Sequence, residues 1–392
     1  MGGLAFVDAG ISGASLNVPR LPPDVYKEMI AQLRPKLQQL FNNVVIPREG
    51  PGKTDHGDID FLVEGALCTS DSSAFQTLIG EAIGATHFRE NGGTKTYAVP
   101  HVRDPEKHVQ VDVEICPGEG TPEGPELLKW TLFMKSDSDL VQIIGICHTP
   151  LGITCNDKGM HVRVKEIEPY DRKKSLLFLT RNPHQALQFF GLDAPKYFAG
   201  FESEEDLFRW VSQGRFFSKR EFENRRENGN DRARQRKRGM YRGFIEEFVP
   251  SLEEPSTPGR IWTREQVLQE ALSTFDKQNE YQSMVRWHEI RERDIAIWAR
   301  VREILPASNS LNATLRSLRR WVIFSDGKPS IAPDAMLDNH PVWGEVVVDE
   351  DDVLSWVWQN WQEVKALEKA RVVGLLWLKF VRLRLLICLT EP

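Results

Sequence analysis

Two aspartates, Asp58 and Asp60, stand two positions apart in the segment 57–63, which reads GDIDFLV. The segment predicts a β-strand, in which alternate side chains share a face. Both carboxylates therefore point to one side, while Ile59 and its apolar neighbours point into a core. Two carboxylates on one strand face can bridge a pair of Mg²⁺ ions, which prefer oxygen ligands.

A second strand is predicted over 109–115, VQVDVEI, with its valines on one face and Asp112 on the other. If this strand lies beside the first, three carboxylates meet and repel one another without a cation. Two metal ions about 4 Å apart activate an attacking hydroxyl and stabilise a leaving pyrophosphate. The three aspartates therefore predict metal-dependent phosphoryl or nucleotidyl transfer. For a D-x-D pair alone, an incidental solvated strand face is the alternative interpretation.

The loop before the aspartate pair, 47–54, reads PREGPGKT. It almost matches a P-loop, but Pro47 replaces the first glycine and a strand follows where a P-loop opens a helix. A true P-loop is therefore not predicted. Lys53 is either a counter-charge for phosphate or a solvated loop lysine. The candidates for binding nucleotide phosphates are Gly50, Gly52, Lys53 and Gly57.

The order of these features resembles the DNA polymerase β nucleotidyltransferase superfamily: a glycine-bearing loop, a strand with two aspartates, and a later strand with one. More narrowly, the chain is similar to uncharacterised nucleotidyltransferase-like proteins of phages, bacteria and fungi. The resemblance covers roughly residues 1–250 and extends less specifically to about 378. The matching stretches are MGGLAF, KTDHGDIDFLV, VQVDVEI, SDSDLVQIIGICHTPLGITCNDKGMHV, LFLTRNPHQALQFFGLD, GFESEEDLFRWV and NDRARQRKRGMYRGFIEEF.

The resemblance implies that Asp58, Asp60 and Asp112 are the metal carboxylates, with Mg²⁺ or Mn²⁺ as cofactor. The implied reaction moves a nucleoside monophosphate from an NTP to an acceptor hydroxyl and releases pyrophosphate. The acceptor can be an RNA end, a protein or a small molecule. The resemblance assigns neither the NTP preference nor the oligomeric state.

One departure from the superfamily concerns the Gly-Ser or Gly-Gly pair that normally stands shortly before the two aspartates. Here the nearby loop is 50–53, and Gly2-Gly3 is distant in sequence. The departure keeps two alternatives open. One is a catalytically inactive nucleotide- or RNA-binding module on the same fold, and the other is a helical interaction protein with an incidental acidic face.

The segment 215–242 is strongly basic, with 11 Lys and Arg against four Asp and Glu. The whole chain carries a net charge of −6, so nucleic-acid binding requires a local patch of this kind. RNA contact by counterion release is one interpretation. A nuclear-localisation patch and a helix face paired to acidic neighbours are the others.

Three regions are predicted: a catalytic core over 1–126, a mixed and mainly helical substrate-contact region over 127–250, and a helical region over 251–392 after a Pro/Ser linker. The order of elements predicts an α+β fold, with a nucleotidyltransferase-like mixed sheet flanked by helices. Five unpaired cysteines favour a reduced, intracellular protein in the cytoplasm or nucleus. The apolar tail 372–389 contains three basic residues that are costly in a bilayer, so no membrane helix is predicted.

Two helix starts are predicted from capping residues. Thr263 and Gln266 fit a capping box. Ser136, Ser138 and Asp139 precede an apolar helix and are most simply N-cap residues. The resemblance gives Asp139 a second interpretation, as a functional residue.

Overall fold

The computed structural model describes residues 5–6, 16–67, 72–91, 94–225, 238–253 and 261–388. The chain divides into two compact units, Met1–Asn279 and Glu280–Pro392. The helix that follows the predicted linker belongs to the first unit, and residues 254–260 of that linker lie outside the described ranges. The three-region division drawn from the sequence remains a prediction.

The first unit is built on a five-stranded mixed sheet in the order β1-β2-β5-β4-β3. The central strand β5 runs parallel to its neighbour β2, and the other pairs are antiparallel. The sheet confirms the predicted α+β class, in the form of a mixed sheet with flanking helices. The strands are β1 (Phe41–Val45), β2 (Asp58–Ala66), β3 (His87–Asn91), β4 (Thr94–His101) and β5 (Asp104–Ile115).

Two helices, α1 (Pro23–Leu37) and α2 (Ser72–Ile83), pack on one face of this sheet. Helix α1 opens with a proline, whose fixed φ suits the first helical position. Met29 and Leu33, spaced four residues apart, bury the same stripe. Ile59 and Val111 are fully buried on the sheet face beneath the helices. Each such side chain contributes about 1.5–3 kcal/mol relative to exposure.

This core fixes which way the aspartates point. A register slip of one residue would move Ile59, Phe61 and Val63 out of this core, so the pairing is strongly specified. With Ile59, Phe61 and Val63 held inside, Asp58 and Asp60 must occupy the opposite face.

Residues 124–274 add a small sheet and several helices to the first unit. The antiparallel strands β6 (Ile153–Asn156), β7 (Gly159–Arg163) and β8 (Leu176–Thr180) pair in chain order. A capping box opens the last helix of the group, as predicted. The helices are α3 (Gly124–Lys135), α4 (Leu140–His148), α5 (Pro183–Phe189), α6 (Ala194–Ala199), α7 (Glu204–Ser212), α8 (Lys219–Arg225), α9 (Gly239–Gly243), a π-turn (Phe244–Phe248), α10 (Val249–Ser251) and α11 (Arg264–Thr274).

The second unit is mainly helical and has its own apolar core, in which the Trp298 and Trp343 rings lie 4.2 Å apart. It confirms the predicted helical C-terminal region. None of the described helices has the length and apolar composition needed to cross a bilayer. Its elements are α12 (Gln278–Ile304, which starts in the first unit), α13 (Leu311–Trp321), β9 (Val322–Ser325), β10 (Lys328–Ile331), α14 (Trp343–Val346) and α15 (Glu350–Cys388).

Candidate active site

The three predicted aspartates lie on adjacent parallel strands. In the register of β2 and β5, Asp60 stands directly beside Asp112, and Asp58 stands beside Gln110. Neighbouring strands are about 4.8 Å apart. The condition set by the sequence, that the two strands be neighbours, is met, and the three carboxylates share one sheet face.

Protein surroundings and mutual repulsion disfavour ionisation of these carboxyls. Burial, together with the charges of Asp58 and Asp112, raises the pKa of Asp60 to about 7. Burial also raises the pKa of Asp58 and of Asp112. The Asp60 side chain is exposed to solvent, yet protein surrounds it closely enough to penalise its charge. A cation at this face would relieve both effects.

Polar neighbours orient Asp112. The Gln110 amide nitrogen donates to both carboxylate oxygens of Asp112, at 3.3 and 3.2 Å. A side-chain hydrogen bond from Thr96, the residue opposite Asp112 on β4, lowers the pKa of Asp112 against the effect of burial. The side-chain oxygen of Gln110, Oε1, accepts a hydrogen bond from the Ala5 backbone N–H at 3.1 Å. The distant glycine pair, Gly2-Gly3, lies outside the described residues.

The aspartate face opens into a cleft of about 770 Å³. The cleft brings together five of the seven predicted residues: Gly50, Gly52, Lys53, Asp58 and Asp60. Two predicted residues do not line it: Gly57 is buried, and Asp112 is half-buried beside Asp60. Gly57 is therefore a buried residue directly before β2, and a role for it in nucleotide binding stays a prediction.

Two lysines bring positive charge to the aspartates. Lys53 lowers the pKa of Asp58, and its Nζ lies 2.5 Å from Glu49 Oε2. Lys135, at the end of α3, lowers the pKa of Asp60 and is paired with Glu114. Sequence reasoning missed Lys135 and Glu49, because neither belongs to a local motif.

Glu49 ties the loop to the body of the first unit. Its Oε1 accepts a hydrogen bond from the Tyr26 hydroxyl at 3.2 Å and lies 3.2 Å from His56 Nδ1. The Tyr26 and His56 rings stack with centroids 3.8 Å apart. Glu49 therefore holds the loop that carries Lys53 against α1.

The described ranges contain no group of three His, Cys, Asp or Glu side chains that is close enough to hold a metal ion. The chemistry of the three aspartates still fits one. They offer only carboxylate oxygen, the ligand type that Mg²⁺ and Mn²⁺ prefer. Burial first, and the charges of Asp58 and Asp112 second, raise the pKa of Asp60, and a divalent ion would offset both effects.

A buried ion pair joins the loop to the turn before α4. Arg48 donates to both carboxylate oxygens of Asp137, from Nε at 2.8 Å and from Nη2 at 2.7 Å. Asp137 is only 1% exposed. Asp137 and Ser138 both adopt left-handed backbone conformations, with φ of 58° and 57°, which L-residues adopt at a cost. The ion pair therefore supports a strained turn that lines the cleft.

The predicted capping roles of this turn are wrong. Asp139 occupies the N-cap position of α4, but its side chain makes no capping hydrogen bond and instead pairs with Arg238. Ser136 Oγ donates to the Leu132 carbonyl and accepts from the Arg48 N–H. The turn's side chains connect α3, the loop and Arg238, so tertiary contacts outweigh the local preference.

Gly50→Ala is expected to displace the loop. A Cβ at Gly50 would lie 2.6 Å from Ser138 Oγ, and overpacking of this kind costs about 1–3 kcal/mol. Ser138→Ala removes the oxygen, so the double variant should recover part of the loss. Thermal unfolding of the four proteins of this cycle measures the coupling. If the two substitutions simply add, the close approach does not constrain the loop.

Asp60→Asn is expected to stabilise the metal-free protein above pH 7. The raised pKa means that the folded state binds this proton more tightly than the unfolded state, so stability rises as pH falls through about 7. Because Asp60 is exposed, solvent screening reduces the gain to about 1 kcal/mol, or about 2–4 °C in Tm. Unfolding at pH 8 and pH 5.5 should show the gain shrinking at the lower pH. An equal gain at both would contradict the raised pKa.

Three described basic residues of the segment 215–242 are paired with groups inside the first unit. Arg215 pairs with Glu270 and lies over the Phe216 ring, and Lys219 Nζ donates to the Leu252 carbonyl at 2.8 Å. Arg238 binds Asp139. Residues 226–237, with most of the RARQRKR run, lie outside the described residues. RNA contact through 215–242 stays a prediction.

No protein-family model matches this chain, and no curated protein is significantly similar to it.

Proposed function

We propose that the protein is a nucleotidyltransferase that depends on Mg²⁺ or Mn²⁺ and moves a nucleoside monophosphate from an NTP to an acceptor hydroxyl. The observation that carries this proposal is the parallel pairing of β2 with β5. It sets Asp60 beside Asp112, with Asp58 on the same face, at a cleft rimmed by the loop 50–53. The cleft volume of about 770 Å³ falls in the range of small-molecule sites.

Each residue has a role in this proposal. Asp58 and Asp60 would hold both divalent ions, and Asp112 would hold the one nearer the attacking hydroxyl. When bound, such ions lower the pKa of the attacking hydroxyl and neutralise charge on the phosphates. The backbone amides of 50–52 and the Lys53 ammonium would hold the β- and γ-phosphates.

The charge balance of the cleft supports a metal requirement. Among the described residues that line it, five are acidic and four are basic. A triphosphate therefore finds no net positive field until divalent ions neutralise the aspartates. NTP binding should depend on the metal.

The wall away from the aspartates is polar and suits an acceptor that offers a hydroxyl. It carries Gln142, Glu204 and the Asp139–Arg238 pair. Burial, with a contribution from the charge of Asp139, raises the pKa of Glu204. A protein, an RNA end and a small molecule all present the required group, so the acceptor assay includes each.

Pyrophosphate release from each of the four NTPs tests the proposal, with Mg²⁺ or Mn²⁺ and with total RNA, a protein extract or polyols as acceptors. Release by the wild type should vanish in Asp58→Ala/Asp60→Ala and persist in Asp55→Ala. Asp55 is the matched control because it is an exposed carboxylate of the same loop, paired with Arg20. Binding of metal·NTP without release would favour the inactive nucleotide-binding module. Release that survives the double substitution would contradict the assignment.

A further inference from the structure

A second cavity, of about 510 Å³, lies on the other face of α3. Met134 and Lys135 line the cleft, whereas Lys129, Leu132 and Phe133 line the second cavity. Residues three and four apart share one face of a helix, so the two cavities use different sides of α3. The proposed nucleotidyl transfer makes no use of this second cavity.

Basic residues outnumber acidic residues in the lining of the second cavity, whereas they do not in the lining of the cleft. Its described charged residues are Arg48, Lys129 and Arg181 against the single acid Glu126. Arg48 is already committed to Asp137. Within the described part of the chain, Arg181 Nε is buried without a hydrogen-bond partner, and Glu126 Oε2 lies 3.7 Å away. Arg181 is thus in a long ion pair with Glu126, whereas Lys129 has no ion-pair partner in those ranges. The cavity can therefore receive an anion without a metal ion.

The same cavity presents aromatic faces. Phe198 is 55% exposed, although it is a large apolar side chain. Its ring lies nearly parallel to that of His184, at 11° and with centroids 6.3 Å apart. Leu132 and Phe133 complete an apolar wall. Parallel exposed rings favour stacking of a planar group.

From the combination of an excess of basic groups with exposed parallel rings, we infer that this cavity binds a planar aromatic ligand carrying an anionic group. A nucleoside monophosphate has this chemistry. Its phosphate would lie against Arg181 and Lys129, and its base against Phe198 and His184. The cavity volume lies within the ~300–1,000 Å³ typical of small-molecule sites.

Calorimetric titration of the full chain with AMP in EDTA tests the inference, with adenosine and inorganic phosphate as separate probes. AMP should bind more tightly than either. Arg181→Ala should weaken AMP binding about ten-fold or more, with Arg181→Lys losing less. Phe198→Ala should weaken AMP and adenosine but leave phosphate unchanged. Arg209→Ala is the control, because that exposed arginine pairs only locally with Glu205.

The Asp60→Asn variant separates this inference from the proposed function. AMP binding that persists in EDTA and in Asp60→Asn supports the second cavity, whether or not nucleotidyl transfer is found. Binding that requires Mg²⁺ and is lost in Asp60→Asn places the nucleotide in the cleft and overturns the inference. No AMP binding to the folded wild type, or binding unchanged by Arg181→Ala and Phe198→Ala, also overturns it. The melting temperature of each variant reports whether it is folded.

Discussion

Asp112→Asn is expected to lower kcat for pyrophosphate release by about a thousand-fold while metal·NTP binding changes little. Loss of one metal ligand removes several kcal/mol of transition-state stabilisation, and each 1.36 kcal/mol is ten-fold in rate. Asp112 does not line the cleft and is assigned to the ion nearer the attacking hydroxyl. Its loss should therefore affect the chemical step more than nucleotide affinity.

Substitution of Asp60 is expected to give a different kinetic pattern from substitution of Asp112. Asp60→Asn should weaken metal·NTP binding and turnover together, because Asp60 lies in the cleft and is assigned to both ions. Single-turnover kinetics with calorimetric nucleotide binding separates the two patterns. If Asp112→Asn keeps wild-type kcat, the shared face of β2 and β5 is not the catalytic face.

Arg48→Ala is expected to destabilise the first unit by about 3 kcal/mol. The substitution leaves the Asp137 carboxylate, 1% exposed, without its bidentate partner. Breaking a buried pair from one side is strongly destabilising, because the remaining charge is uncompensated. The Arg48 guanidinium also lies 4.8 Å from the Tyr197 ring centroid, and that packing is lost as well.

Arg103→Ala is the control for this prediction. Arg103 also makes two carboxylate contacts, with Asp24 and Glu28, but it is half exposed. Its loss should destabilise the protein far less than Arg48→Ala, because solvent screens an exposed ion pair. Chemical denaturation of both variants measures the difference. Equal, small losses would show that the Arg48–Asp137 pair does not hold the loop and the turn together.

Local periodicity was sufficient to predict the strands and the face on which each aspartate lies. Alternation in 57–63 and 109–115 requires Asp58, Asp60 and Asp112 to oppose the apolar core, and the structure confirms that arrangement. The sequence could not predict that β2 and β5 are neighbours. Strands about fifty residues apart leave no local sequence signal of their pairing.

The residues that sequence reasoning missed act through tertiary contacts. Lys135 reaches the aspartates from the end of α3, and Glu49 links the loop to α1. Asp137 carries no local sequence signal, yet its left-handed backbone and its ion pair with Arg48 fix the turn. The capping prediction failed here for the same reason, since side chains that normally cap a helix were recruited by distant partners.

Binding of Mn²⁺, followed by electron paramagnetic resonance at pH 8, is the decisive test of a metal site at the three aspartates. At that pH Asp60, with its pKa of about 7, is largely ionised. The wild type and Asp55→Asn should bind Mn²⁺ in the presence of an NTP, and Asp60→Asn should lose that binding. Wild-type protein that binds no Mn²⁺, or an Asp60→Asn variant that binds it equally well, would contradict a metal site at these aspartates.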